Sequence, residues 1–90
     1  MADRRLQVFS TVARLLSFTK AAEALHMTQP AVTFQIRQLE DYFNTRLFDR
    51  THNRISLTTA GHLVKDYSGQ IISLYSEMDN EVRKLTGDVL

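Results

Sequence analysis

The sequence predicts a mainly α-helical fold: three short helices, a β-hairpin, and one long final helix. Three observations predict it. Apolar residues recur at helical spacing through the first 43 residues, in three blocks separated by capping residues. Two short apolar runs then flank a polar stretch, Asp49-Arg50-Thr51-His52-Asn53-Arg54. After Thr59 the apolar residues fall into a heptad rhythm.

The first helix is expected over residues 4–16. Leu6, Phe9, Val12, Ala13 and Leu16 share one stripe, Val8 and Leu15 widen it, and Asp3 lies in the first turn, where the helix dipole favours an acid. Ser17 or Thr19 can cap a second helix over 19–25, whose alanines let neighbouring helices approach closely. Thr28 is a good cap for the third, and Pro30 sits in its first turn, where a missing N–H costs nothing. Val32, Ile36, Leu39 and Phe43 then give that helix a core side. The three-residue link between the second and third helices has the length of a helix-turn-helix connection.

Residues 45–58 read as a hairpin wing. Leu47-Phe48 and Ile55-Ser56-Leu57 would form its strands, with residues 49–54 as the loop. Thr58 or Thr59 caps the long helix over 59–86, about 42 Å long at 1.5 Å per residue. Ala60, Val64, Tyr67, Ile71, Leu74, Met78 and Leu85 trace a heptad seam expected to meet another chain. A second stripe, Leu63, Ile72, Tyr75 and Val82, is expected to pack on the chain's own head. Gly87 ends the helix. The domain reading is therefore a winged helix-turn-helix over 1–58, a linker and dimerisation helix over 59–86, and the start of a further domain at 87–90.

Charge sharpens this division. The 90 residues carry a formal charge of only +1. Residues 1–58 hold eight basic side chains against five acidic ones, and residues 59–90 hold three against five, so a +3 head joins a −2 helix. There is no cysteine, which excludes a disulfide scaffold and a thiolate metal site. No apolar run approaches a membrane span, and the N-terminus lacks the apolar stretch of a signal peptide. A head below about 70 residues without staples is marginal alone, which points to help from a partner chain or a longer parent protein.

The third helix carries the functional signal. Opposite its core side lie Pro30, Thr33, Phe34 and Arg37, with Gln29 at the edge and Thr28 at the start. Gln can pair with adenine, Arg with guanine, and a Thr methyl or a phenyl ring can meet the thymine methyl in a DNA major groove. Phe34 is the most informative of these, because a ring turned away from the core is either a scattered surface residue or one put to use. Arg37 could equally pair with Glu40 or Asp41. Arg50, His52, Asn53 and Arg54 on the wing suit phosphate or the minor groove, with Arg46 and, more weakly, Lys20 as further basic candidates.

These residues match a known pattern. Leu6-x-x-Phe9, Ser17-Phe18-Thr19-x-Ala21-Ala22-x-x-Leu25, Thr28-Gln29-Pro30-Ala31-Val32-Thr33, Ile36-x-x-Leu39-Glu40, Leu47-Phe48-x-Arg50 and Leu57-Thr58-x-x-Gly61 together resemble the N-terminal part of LysR-type transcriptional regulators. The resemblance implies a winged helix-turn-helix on a dimerising linker helix, binding AT-rich, interrupted palindromic operators. It implies base contacts from Gln29, Pro30 and Thr33, and backbone or minor-groove contacts from Arg50 and the wing near Asn53 and Arg54. Many family members have Arg or another polar residue where this chain has Phe34, so a phosphate or guanine contact gives way to a thymine or shape preference. The expected partners are double-stranded DNA and a second copy of the chain, with tetramers open for the full-length protein. No cofactor is expected in this piece; a small-molecule effector belongs to the absent domain. The implied location is the cytoplasm, and no membrane partner is expected.

Two rival classes remain weak. His26, His52 and His62 are scattered over different elements with no metal-site spacing, and no nucleophile elbow or phosphate-cradling glycine loop occurs, so an enzyme is not expected. A winged-helix protein-interaction module is the more serious alternative; steep salt dependence of binding would mark DNA instead.

Overall fold

The computed structural model describes residues 4–87. It contains α1 (Arg4–Leu15), α2 (Phe18–Leu25), α3 (Gln29–Phe43), β1 (Phe48–Thr51), β2 (Arg54–Leu57) and α4 (Thr59–Thr86). The expected order of three helices, hairpin and long helix is therefore observed. The expected Asp3 at the start of α1, and residues 88–90 of the expected further domain, lie outside the described residues.

Local chemistry sets most of the boundaries. The Ser17 hydroxyl accepts from the Lys20 N–H at 3.1 Å, so α2 is capped by Ser17 and starts at Phe18, one residue before the expected start. Thr28 caps α3 by accepting from Ala31 N–H at 3.2 Å, and Thr58 caps α4 by accepting from Gly61 N–H at 2.9 Å. At the other ends, His26, Asn44 and Gly87 adopt left-handed conformations that return backbone N–H groups to the last turn. Leu16 also turns left-handed, with φ 50°, which ends α1 at Leu15 and leaves Leu16 exposed, off the core stripe expected for it.

α1 crosses α2, α3 and α4, and the core lies among them. Val8, Phe9, Val12 and Ala13 of α1 meet Phe18, Ala21 and Ala22 of α2, Val32, Ile36 and Leu39 of α3, and Leu47 and Phe48 before and at the hairpin. Phe48 is the aromatic hub, 5.3 Å from the Phe9 ring and 5.9 Å from Phe18 in an edge-on arrangement. Phe43, expected in this core, is half exposed instead. It sits at the last turn of α3, one residue before the left-handed Asn44 that ends the helix, and packs edge-to-face on Tyr42 at 5.1 Å.

The wing is tighter than expected. β1 and β2 pair antiparallel from Phe48↔Leu57 to Thr51↔Arg54, so only His52 and Asn53 form the turn. Both have positive φ, 50° and 62°, the backbone pattern of a two-residue hairpin turn whose twist matches its strands. Leu47 precedes the strand and is fully buried.

α4 meets the head along Gly61, Val64 and Ser68. A Cβ at Gly61 would collide with the Leu47 carbonyl, so only glycine permits this approach. Ala60 and Val64, expected on the outward seam, pack against the head's core. Conversely Leu63 and Val82, expected on the head, are exposed, while Ile72 and Tyr75 are half-buried. Geometry explains both departures. Leu63 lies about 140° around the helix from Ser68, and Val82 is 14 residues, about 21 Å, past it. Among the described residues no helix is long and apolar enough to cross a membrane.

Candidate nucleic-acid interface

The exposed side of α3 gathers the predicted residues. Gln29, Pro30, Thr33, Phe34 and Arg37 line one shallow hollow on its outer surface. Phe34 is 59% exposed, with no core role. Thr28 stands at the helix start, its hydroxyl engaged in the cap. The Thr19 hydroxyl donates to the Gln29 side-chain oxygen at 3.4 Å, which ties the start of α2 to the start of α3 and leaves the Gln29 amide NH2 as its outward group.

A second hollow, about 150 Å³, lies between α3 and the wing. Thr33, Arg37, Arg46 and Arg50 line it, with Phe18 and Phe48 at its apolar end. Strand alternation places Arg50 on the same side of β1 as the buried Phe48. The Arg50 guanidinium stacks over the Phe18 ring, 4.1 Å from its centroid.

Glu40 is the acid of this hollow, and its carboxylate is engaged. It accepts from the Leu47 N–H at 2.8 Å and from the Phe48 N–H at 3.4 Å. Arg37 is paired with neither Glu40 nor Asp41: among the described residues the ion pairs are Asp79–Arg83 and Glu81–Lys84, both on α4. The Arg37 guanidinium is thus available on the outer face.

The remaining candidates sit apart. His52, Asn53 and Arg54 are exposed at and beside the hairpin turn and line neither hollow. Lys20 is exposed on the first turn of α2 and lines neither either. Two contributors had no signal of their own in the spacing of the sequence: Thr19, as the partner of Gln29, and Phe18, as the platform for Arg50. The second contact spans 32 positions, and no local periodicity encodes it.

Three helices, a hairpin wing and an uncharged-to-basic outer face on the third helix define a winged helix-turn-helix DNA-binding domain. Comparison with known proteins specifies it further. Residues 4–62 match the family model for bacterial regulatory helix-turn-helix proteins of the lysR family. The chain belongs to this family. It is 46% identical over 84 residues to the RuBisCO operon transcriptional regulator of Allochromatium vinosum, covering 93% of this chain and 28% of that protein. It is 43% identical over 82 residues to the regulator HdfR of Salmonella newport, covering 91% of this chain and 30% of that one. The chain thus spans under a third of the length of these curated relatives. Among solved structures it resembles the BenM DNA-binding domain in complex with catB site 1 DNA, with a TM-score of 0.90 and 30% identity over 96% of this chain and 97% of that one. The DNA complex of the CbnR DNA-binding domain gives 0.87 and 32%, over 96% and 99%.

Proposed function

We propose that this chain binds double-stranded DNA sequence-specifically as a homodimer and that its operator is an AT-rich interrupted palindrome. Each subunit sets α3 into a major groove, and two subunits read two half-sites. The observation that carries this reading is the shared outer surface of Gln29, Pro30, Thr33, Phe34 and Arg37, free of carboxylates and flanked by the arginine-lined hollow. Gln29 and Thr33 suit adenine and thymine edges, and the Phe34 ring suits a thymine methyl. Arg50 and Arg54 supply phosphate or minor-groove contacts.

The outward row on α4 supports the dimer. Leu63, Tyr67, Ile71, Leu74, Met78, Val82 and Leu85 are all exposed in the single chain. A row of this length buried against its twin is the ordinary fate of a heptad seam. In the whole protein a small-molecule effector binds a further domain, and the regulator works in the cytoplasm, where bacterial DNA lies.

Selection of bound duplexes from a random pool, followed by anisotropy titration over a range of salt concentrations, tests the reading. The expected result is an AT-rich inverted repeat, bound with an affinity that falls steeply with salt in proportion to the phosphates neutralised. Arg54→Ala should weaken binding to all sequences and flatten the salt slope by about one. Recovery of no enriched site, with binding insensitive to salt, would return the chain to the protein-interaction class.

A further inference from the structure

The stacking of Arg50 on Phe18 has a role in binding, given the DNA reading above on which this inference rests. We propose that Phe18 is a positioning residue: its ring holds the Arg50 guanidinium at the hollow between α3 and the wing, in place to meet a DNA phosphate.

The two partners differ sharply in burial. Phe18 is 4% exposed, the first residue of α2, and its ring is braced edge-on by Phe48 at 5.9 Å. It is a fixed platform. Arg50 is exposed on β1, and among the described residues it has no hydrogen bond or ion pair. Stacking uses the face of a guanidinium and leaves its N–H groups, which lie in its plane, unspent. Phosphate is recognised through those N–H groups. The nearest acid in the hollow, Glu40, has its carboxylate bonded to the Leu47 and Phe48 amides.

The benefit is preorganisation. A long flexible side chain loses rotamer freedom when it grips a phosphate, and a platform that holds it beforehand removes part of that loss from the binding step. Phe18 acts through Arg50 and touches no DNA.

A core phenylalanine also has a packing role, so the test must separate the two. The Phe18 ring is fluorinated stepwise, which weakens the negative face of the ring while nearly preserving its volume, in chains carrying either Arg50 or Arg50→Ala. Affinity for a fixed duplex is measured by anisotropy, and folding is checked by circular dichroism. With Arg50 present, affinity should fall progressively with each fluorine, by about three- to tenfold at full substitution. In the Arg50→Ala chain it should stay flat. Phe18→Tyr should keep wild-type affinity, and Phe18→Leu should lose as much as full fluorination. Equal losses in both backgrounds, or no loss with fluorination, overturn the positioning role. If Arg50→Ala alone leaves affinity unchanged, the DNA contact assigned to Arg50 fails as well, and the two failures are told apart.

Discussion

The Glu40 carboxylate accepts the backbone N–H of Leu47 at 2.8 Å, joining the third helix to the start of the wing. Leu47 is fully buried, so its amide has no water to turn to. The same oxygen takes the Phe48 N–H at 3.4 Å. A side chain that looks like a surface acid in sequence is therefore a hinge pin between two parts of the DNA-binding head. Glu40→Ala should destabilise the fold by about 1.5–3 kcal/mol, the loss expected for charge-assisted hydrogen bonds to buried donors. Glu40→Gln, which keeps an acceptor but not the charge, should lose about half of that. Urea unfolding followed by circular dichroism measures both.

The two glycines early in α4 should answer alanine in opposite ways. A Cβ at Gly61 meets the Leu47 carbonyl, a backbone atom that cannot swing aside. Gly61→Ala should cost about 1–3 kcal/mol through forced separation of α4 from the head. A Cβ at Gly69 meets nothing within 4 Å, so Gly69→Ala should stabilise by up to about 1 kcal/mol through helix propensity alone. Thermal melting should show shifts of opposite sign, about 4–8 °C for each kcal/mol.

Phe34 separates use from accident. Its ring is exposed beside Gln29, Thr33 and Arg37, so Phe34→Ala leaves the core untouched. Specific binding should weaken by about 1–3 kcal/mol, with stability unchanged. Replacing operator thymines by uracil removes only the methyl groups. The duplex position whose methyl matters to wild type and not to Phe34→Ala is the one the ring reads. A wild type indifferent to every such replacement refutes the thymine contact.

Leu74 tests the dimer at a point the head does not share. It is 64% exposed in the single chain and about 9 Å along the helix past Ser68. Leu74→Glu should shift sedimentation from dimer to monomer while the head's melting temperature stays close to wild type. Val64→Glu should instead unsettle the head, since Val64 packs on its core. A Leu74→Glu chain that remains dimeric places the interface elsewhere.

The sequence made the architecture legible where one residue type can do one job. Thr28 before Gln29-Pro30 marks the start of α3, and Thr58 three residues ahead of Gly61 marks the start of α4, because each cap is a local hydrogen bond. The outer residues of α3 were legible for the same reason: helical spacing alone puts Thr33, Phe34 and Arg37 on one side. What could not be read there depends on distant parts of the chain. Phe43 and Leu16 continue their apolar stripes yet stay exposed, Leu16 because its backbone turns left-handed and leaves the helix, a change that apolar spacing does not encode. Val64 and Leu63 are neighbours in sequence with equal hydropathic claims on the head, and only the close approach at Gly61 decides between them. The wing's two-residue turn was hidden because His52 is an unusual choice for a left-handed position, where Gly or Asn is commoner.

One uninterrupted helix carries both the side that docks the head, along Gly61, Val64 and Ser68, and the outward row at Tyr67, Ile71, Leu74 and Met78. In the proposed dimer, α4 is therefore a ruler. Inserting one residue between Ser68 and Ile71 would swing the far row by about 100° and advance it by about 1.5 Å, breaking the pairing or tilting the two heads. Inserting seven would nearly restore the facing and add about 10 Å to the helix between head and pairing row. In that proposed dimer, the gap between the two recognition helices, and with it the spacing of half-sites, would be written in the number of residues that separate the two sides of α4.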